Sequence, residues 1–141
     1  MSWMLLALRR YIDFTGRSRR REYWMFVLLC VAVIALAGIA MIVAAGSFRS
    51  QQEMAARFTV WAGFALLPLI VPLIAVTVRR LHDLGLSGWW LVLLPIGAAI
   101  PMIDTIVSLA HIVVMALPGR KAANRFGENP KLLPQGGARA G

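Results

Sequence analysis

Apolar positions in this chain fall in long unbroken runs, not in the alternating or one-faced patterns of a soluble domain. Trp24 to Gly46 (WMFVLLCVAVIALAGIAMIVAAG) holds 23 residues and no charge, and Phe58 to Val78 (FTVWAGFALLPLIVPLIAVTV) holds 21 and no charge. A bilayer core about 30 Å thick is crossed by roughly 20 apolar residues. Helix is required there, because lipid offers backbone N–H and C=O groups no hydrogen-bond partner. Each run therefore predicts a transmembrane helix. The apolar part of a secretory leader is only about 7–15 residues long, so the first run is read as an uncleaved span.

A third run, Trp89 to Leu117, has 29 residues with Asp104 and His111 as its only ionisable groups. One straight helix of that length would measure about 43 Å at 1.5 Å per residue. It contains PIGAAIP, with Pro95 and Pro101 on either side of Gly97, and proline removes a donor and clashes with the preceding turn, so a kink or break is expected. Two readings stay open. A single kinked span would deliver the tail to the far side of the membrane, and a shallow hairpin of two short helices would return it to the side it left.

Ahead of the first span, Trp3, Met4, Ala7, Leu8, Tyr11 and Ile12 share one helical face, with Arg9, Arg10 and Asp13 elsewhere. That pattern predicts an interfacial amphipathic helix over residues 2–13. The expected fold is all-α, a polytopic membrane helical bundle in one domain, residues 1–134. It comprises the interfacial helix, spans at 24–46 and 58–78, the Pro-broken segment 89–117 and a polar tail 118–134. Residues 135–141 read as a disordered end.

Charge adds orientation. The chain is 60% hydrophobic yet carries a formal net charge of +9, where ordinary globular chains are about half apolar. Residues 1–23 hold six arginines against Asp13 and Glu22, and residues 47–57 hold Arg49 and Arg57 against Glu53. Positive-inside bias puts the N-terminus in the cytoplasm, the 47–57 loop outside and Arg79–Arg80 back inside. From Pro118 onward there are five basic residues and one Glu, which favours the hairpin. Length opposes it, since two full spans need about 40 residues. Because the basic blocks border spans, lipid phosphate is the nearer partner and nucleic acid is not expected. The single Cys30 lies in an apolar run, which excludes an internal disulfide and fits a small buried hydrophobe.

Three polar blocks stand between and after the runs: FTGRSRRREYW at 14–24, RRLHDLGLSGWW at 79–90, and NRFGENP at 124–130 preceded by Pro118–Gly119. In this order, with spans between them, they resemble the DUF805 family of small bacterial inner-membrane proteins. The resemblance covers residues 14–130 and implies a multi-pass protein of the bacterial inner membrane, with no activity attached. Asp104 and His111 lie outside its pattern.

The blocks suggest chemistry of their own. Arginine offers a planar fork that grips carboxylate or phosphate bidentately. Arg17, Arg20, Glu22, Arg79, Arg80, His82, Asp83, Asn124 and Arg125 are therefore the candidate cytoplasmic polar cap, binding anionic lipid headgroups or a partner protein. The alternative is that these arginines only enforce topology and pair with Glu22 or Asp83. His82 beside Asp83 is a candidate proton-handling pair; against it, Asp83 caps the turn and His82 bonds a carbonyl. Asp104, Ser108 and His111, spaced i, i+4, i+7, line one helical face and are candidate intramembrane polar groups for a small oligomeric transporter or channel. The competing reading is helix packing. Three residues on two turns of one helix do not make a nucleophilic triad. No glycine-rich phosphate loop, CxxC pair or HExxH motif is present. No catalytic residue, cofactor or metal site is assigned, and an enzyme acting on lipid has only the His82–Asp83 pair behind it. The expected partners are the bilayer with its anionic headgroups and a membrane protein or a second copy of the chain.

Overall fold

A computed structural model describes residues 3–44, 50–130 and 132. The expected disordered end 135–141, the last two residues of the first predicted span and residues 47–49 of its loop lie outside that range.

Among the described residues every named element is helical, in the order α1 (Trp3–Arg9), α2 (Arg20–Val43), α3 (Gln51–Asp83), a 3-10 turn (Gly88–Val92), α4 (Leu93–Ala98) and α5 (Pro101–Ala116). α2 and α3 pack against each other as the two long members. With 24 and 33 residues they measure about 36 and 50 Å at 1.5 Å per residue, enough to cross a bilayer core. α2 begins four residues before the predicted span, at Arg20, because the basic block itself is helical. α3 runs beyond its span at both ends and is capped at its start by Ser50, whose side chain accepts from the Glu53 N–H. Such a bond satisfies one of the orphan donors of a first helical turn.

Two prolines, Pro68 and Pro72, lie inside α3. Pro72 has no N–H to give to the carbonyl four residues earlier, and a bare carbonyl is costly in lipid. The Tyr11 hydroxyl donates to that carbonyl, Pro68 O, at 2.6 Å. Together with the fully buried Ala7, this contact docks the N-terminal segment against the long helices. The predicted interfacial helix is thus shorter than its pattern, ending at Arg9, and part of its apolar face is covered by protein.

The third apolar run breaks where its prolines stand. Ile100 is extended (φ −124°, ψ 108°) and Pro101 opens α5, as the restriction on residues preceding proline and the fitness of proline for a first helical position require. α5 folds back against α4 so closely that a Cβ on Gly97 would come within 2.9 Å of Val107. The segment is a hairpin: it leaves the end of α3 at Leu84 and returns to it at Leu117, whose carbonyl accepts from Arg80. α5, about 24 Å long at 16 residues, reaches only part of the way across a bilayer core.

Burial is the inverse of a soluble domain's. The largest fully buried side chains include Arg79 and Arg80, whereas Leu36, Ile42, Val43, Trp61 and Phe64 are exposed. Lys and Arg are almost never fully buried in water-soluble proteins unless paired. The packed core is Tyr23, Phe26, Cys30, Val76, Leu81 and Met115 with Ala7, residues from the start of α2 and the ends of α3 and α5. Tight packing is concentrated at one end of the bundle, and the far halves of both long helices present apolar surface outward.

Candidate functional site

At the packed end the three polar blocks meet, held by one carboxylate. The Asp83 side chain is buried between two guanidinium groups: Arg17 Nε donates to Oδ1 at 2.9 Å, and Arg80 Nη1 donates to Oδ2. Both arginines also donate to backbone carbonyls. Arg17 reaches Ala122 O at 2.8 Å, Gly127 O at 3.3 Å and Arg120 O. Arg80 reaches Met115 O at 3.3 Å and Leu117 O, and Arg20 adds Ala116 O at 3.0 Å. The last turn of α5 has no basic residue of its own, and its final carbonyls lack intrahelical partners and carry the negative end of the helix dipole. Arg80 and Arg20 supply the missing donors and positive charge from neighbouring helices. This offsets the excess of two buried cations over one carboxylate.

A second buried pair lies beside the first. Arg79 Nη2 donates to Glu22 Oε1 at 2.9 Å, and Nη1 to the carbonyls of Arg10, at 3.2 Å, and Asp13. Arg79 O in turn accepts from Ser18 N at 3.1 Å. The Asp13 carboxylate closes its own turn, accepting from Thr15 N (2.9 Å), Thr15 Oγ1 (2.6 Å) and Arg10. Burial alone would raise the Asp13 pKa, but these hydrogen bonds and the Arg10 charge outweigh it and hold the group at about 2.

The tail closes over this layer. Asn124 Nδ2 donates to His82 O at 2.8 Å, and Asn124 Oδ1 accepts from Phe126 N at 2.9 Å, forming the local turn its side chain favours. Phe126 stacks on His82 with ring centroids 3.8 Å apart and planes at 5°, and the Arg125 guanidinium lies 4.7 Å over the same ring. Arg19 donates to Pro130 O at 2.8 Å. Arg120 N donates to Asp83 O at 3.0 Å. Gly119 is pressed so tightly on the carboxylate that a Cβ there would sit 1.8 Å from Asp83 Oδ2. In the second block Gly85 adopts φ +80°, a conformation that favours glycine. Gly88 does not; its role is close approach, since a Cβ would come 2.8 Å from Val78.

Several sequence expectations change here. Arg17, Arg79 and Arg80 are not a headgroup grip, because their side chains are buried and engaged within the protein. His82 and Asp83 do not form a proton-handling pair: the His82 Nδ1 donates to Gly16 O at 3.2 Å, while Asp83 faces arginines. Asp104, Ser108 and His111 do not act as one unit. Ser108 Oγ donates to Asp104 Oδ1 at 3.3 Å in an exposed setting, and His111 Nε2 instead meets the Tyr23 hydroxyl at 3.1 Å.

That Tyr23–His111 contact borders a feature with no counterpart in the sequence reading, a cavity of about 900 Å³ between α2, α3, the 3-10 turn and the hairpin. Phe14, Tyr23, Thr77, His82, Ser87 and His111 line it together with Leu73, Ile74, Leu91, Val92, Leu94 and Pro95. Its walls come from several separate segments, Phe14 from the stretch before α2 among them, so no single stretch of sequence could signal it.

Comparison with known proteins agrees with the inverted polarity of the bundle. The chain is 33% identical to "Inner membrane protein YhaH" of Escherichia coli strain K12 over 134 residues, 95% of this chain and 100% of that protein. It is 32% identical to "Inner membrane protein YhaI" of the same strain over 131 residues, 93% and 97% of the two chains. No solved structure matches. The family profile described as "Protein of unknown function (DUF805)" matches residues 11–128, a stretch that contains all of the first two blocks and most of the third. Built as a helical membrane bundle whose arginines are inside and whose aliphatic side chains are outside, this chain is a membrane protein and belongs to the DUF805 family.

Proposed function

We propose that this protein is a non-enzymatic, multi-pass binding protein of the inner membrane that engages anionic lipid headgroups at the cytoplasmic leaflet through the outer rim of its polar cap. The observation that carries this reading is a division of labour among the basic residues. Arg17 and Arg80 are buried and hold the tail and hairpin in place, and the buried Arg79 holds the N-terminal segment, whereas Arg21, Arg120, Lys121 and Arg125 are exposed around them. The inner set explains the fold, and the rim remains for the membrane. Positive-inside bias supports a cytoplasmic cap, since the three basic blocks share one end of the bundle and the start of α3 at Gln51 lies at the other. Clustered basic residues beside a span attract anionic lipid. The transport reading is less well supported, because Asp104 is not among the residues lining the cavity.

The test is lipid selectivity of the purified full chain, read by native mass spectrometry with phosphatidylglycerol and phosphatidylcholine in competition. Substituting Arg21→Gln, Lys121→Gln and Arg125→Gln is expected to lower the preference for phosphatidylglycerol by about fivefold per charge, the weight of one basic side chain near an anionic surface. Added salt should weaken the preference as well. Equal retention of the two lipids by the unmodified chain would refute the reading.

A further inference from the structure

We propose that the cavity beneath the cap seats one acyl chain of an anionic phospholipid, a proposal that rests on the rim reading above and extends it into the membrane. Three observations converge. At about 900 Å³ the cavity falls within the range of roughly 300–1,000 Å³ typical of small-molecule sites, which are mostly apolar with a few placed polar groups. Along α3 its lining is graded: His82 stands at the cap end, Thr77 lies five residues back, and Leu73 and Ile74 lie deeper. Tyr23, Ser87 and His111 add polar atoms, and Leu94 and Pro95 add apolar wall. From His82 back to Leu73 is nine residues of α3, or about 14 Å at 1.5 Å per residue. One leaflet of a hydrocarbon core about 30 Å thick is roughly 15 Å deep, so the slot matches the reach of a lipid chain in the cytoplasmic leaflet.

Charge completes the match at the polar end. His82 lines the cavity, Phe126 stacks on His82, and the exposed Arg125 guanidinium lies over Phe126. The stack links a cation to the His82 end of the slot, the end at which the phosphate of a seated lipid would lie. Trp89, 81% exposed and also on the cavity wall, is the amphipathic ring expected at headgroup level. The hairpin is essential to this arrangement, because α4 provides Leu94 and Pro95, and α5 provides His111.

The experiment uses the full chain in detergent–lipid micelles with phosphatidylglycerol bearing a photoactivatable diazirine in mid-chain, cross-links being mapped by mass spectrometry. Cross-links are expected at Leu73, Ile74, Leu94 and Pro95, displaced by excess unlabelled phosphatidylglycerol. Filling the slot with Ile74→Trp and Val92→Trp should reduce them roughly tenfold, the loss expected from excluding two or more methylenes, while leaving the rim's headgroup preference intact. Cross-links spread evenly over the outward faces of α2 and α3, unaltered by competitor, would overturn the slot whether or not the rim remains selective. Equal slot labelling by a phosphatidylcholine probe would sustain the chain site and overturn the anionic headgroup. Competition on the unmodified chain decides the matter should the filled variant fail to fold.

Discussion

Replacing Asp83 with asparagine or alanine is expected to destabilise the protein by about 3–5 kcal/mol, the range for removing one partner of a buried ion pair. Among the described residues this carboxylate is the only anion paired with both the Arg17 and Arg80 guanidinium groups. Without it two cations stay in a water-poor environment with carbonyls alone for company. Asparagine does not repair the loss, because its amide would present a donor to a donor. The consequence should be local first. Arg17 binds the carbonyls of the tail and Arg80 those at the end of α5, so the tail and hairpin should come loose before α2 and α3 separate. Thermal unfolding in detergent should show a lowered midpoint, and limited proteolysis should cut within residues 118–130 under conditions where the wild type resists. A variant with wild-type melting and an intact tail would show that Asp83 does not hold the cap.

Gly119→Ala should produce the second large effect, and its origin can be separated from ordinary crowding. The added methyl would lie 1.8 Å from Asp83 Oδ2 and 2.5 Å from its Cγ. A free carboxylate would swing aside, but this one is fixed from both sides by arginine. Overpacking a tight site costs about 1–3 kcal/mol, to which any disruption of the clamp is added. The discriminating measurement is a double-mutant cycle. In an Asp83→Ala background the clashing oxygens are gone, so Gly119→Ala should become close to neutral, giving a coupling energy of the size seen between directly contacting residues. The same penalty in both backgrounds would place the strain elsewhere.

Membrane character was legible in the sequence because lipid imposes a simple rule on composition, long runs without charge, and α2 and α3 follow it. The break in the third run was marked by Pro101, whose restriction on Ile100 is local. The choice between kink and hairpin was only partly legible: the basic tail favoured the hairpin and length opposed it, because the outcome depends on where the ends of α5 find partners. Those partners are Arg80 and Arg20, side chains from two other helices acting on carbonyls that carry no sequence signal. The cap residues were identifiable as a group from their three blocks. Their roles stayed open between a ligand grip and pairing with Glu22 or Asp83, since burial decides whether an arginine faces a ligand or its own fold, and Arg17, Arg79 and Arg80 look no different in sequence from the exposed Arg21 and Arg125. Gly119 gave a signal too weak to interpret, a small residue after a proline. The cavity required all of its separate segments in place.

The central claim is that the hairpin returns the tail to the end of the bundle that carries the N-terminal block. The most direct measurement is the sidedness of two single cysteines in a Cys30→Ala background, Gln52→Cys at the start of α3 and Glu128→Cys in the tail. Both native positions are exposed and lie at opposite ends of the bundle. With a membrane-impermeant maleimide on intact spheroplasts, Gln52→Cys should be labelled directly and Glu128→Cys only after permeabilisation. Labelling of both from outside would mean that the third segment crosses the membrane, and the cap described here would not exist in the cell.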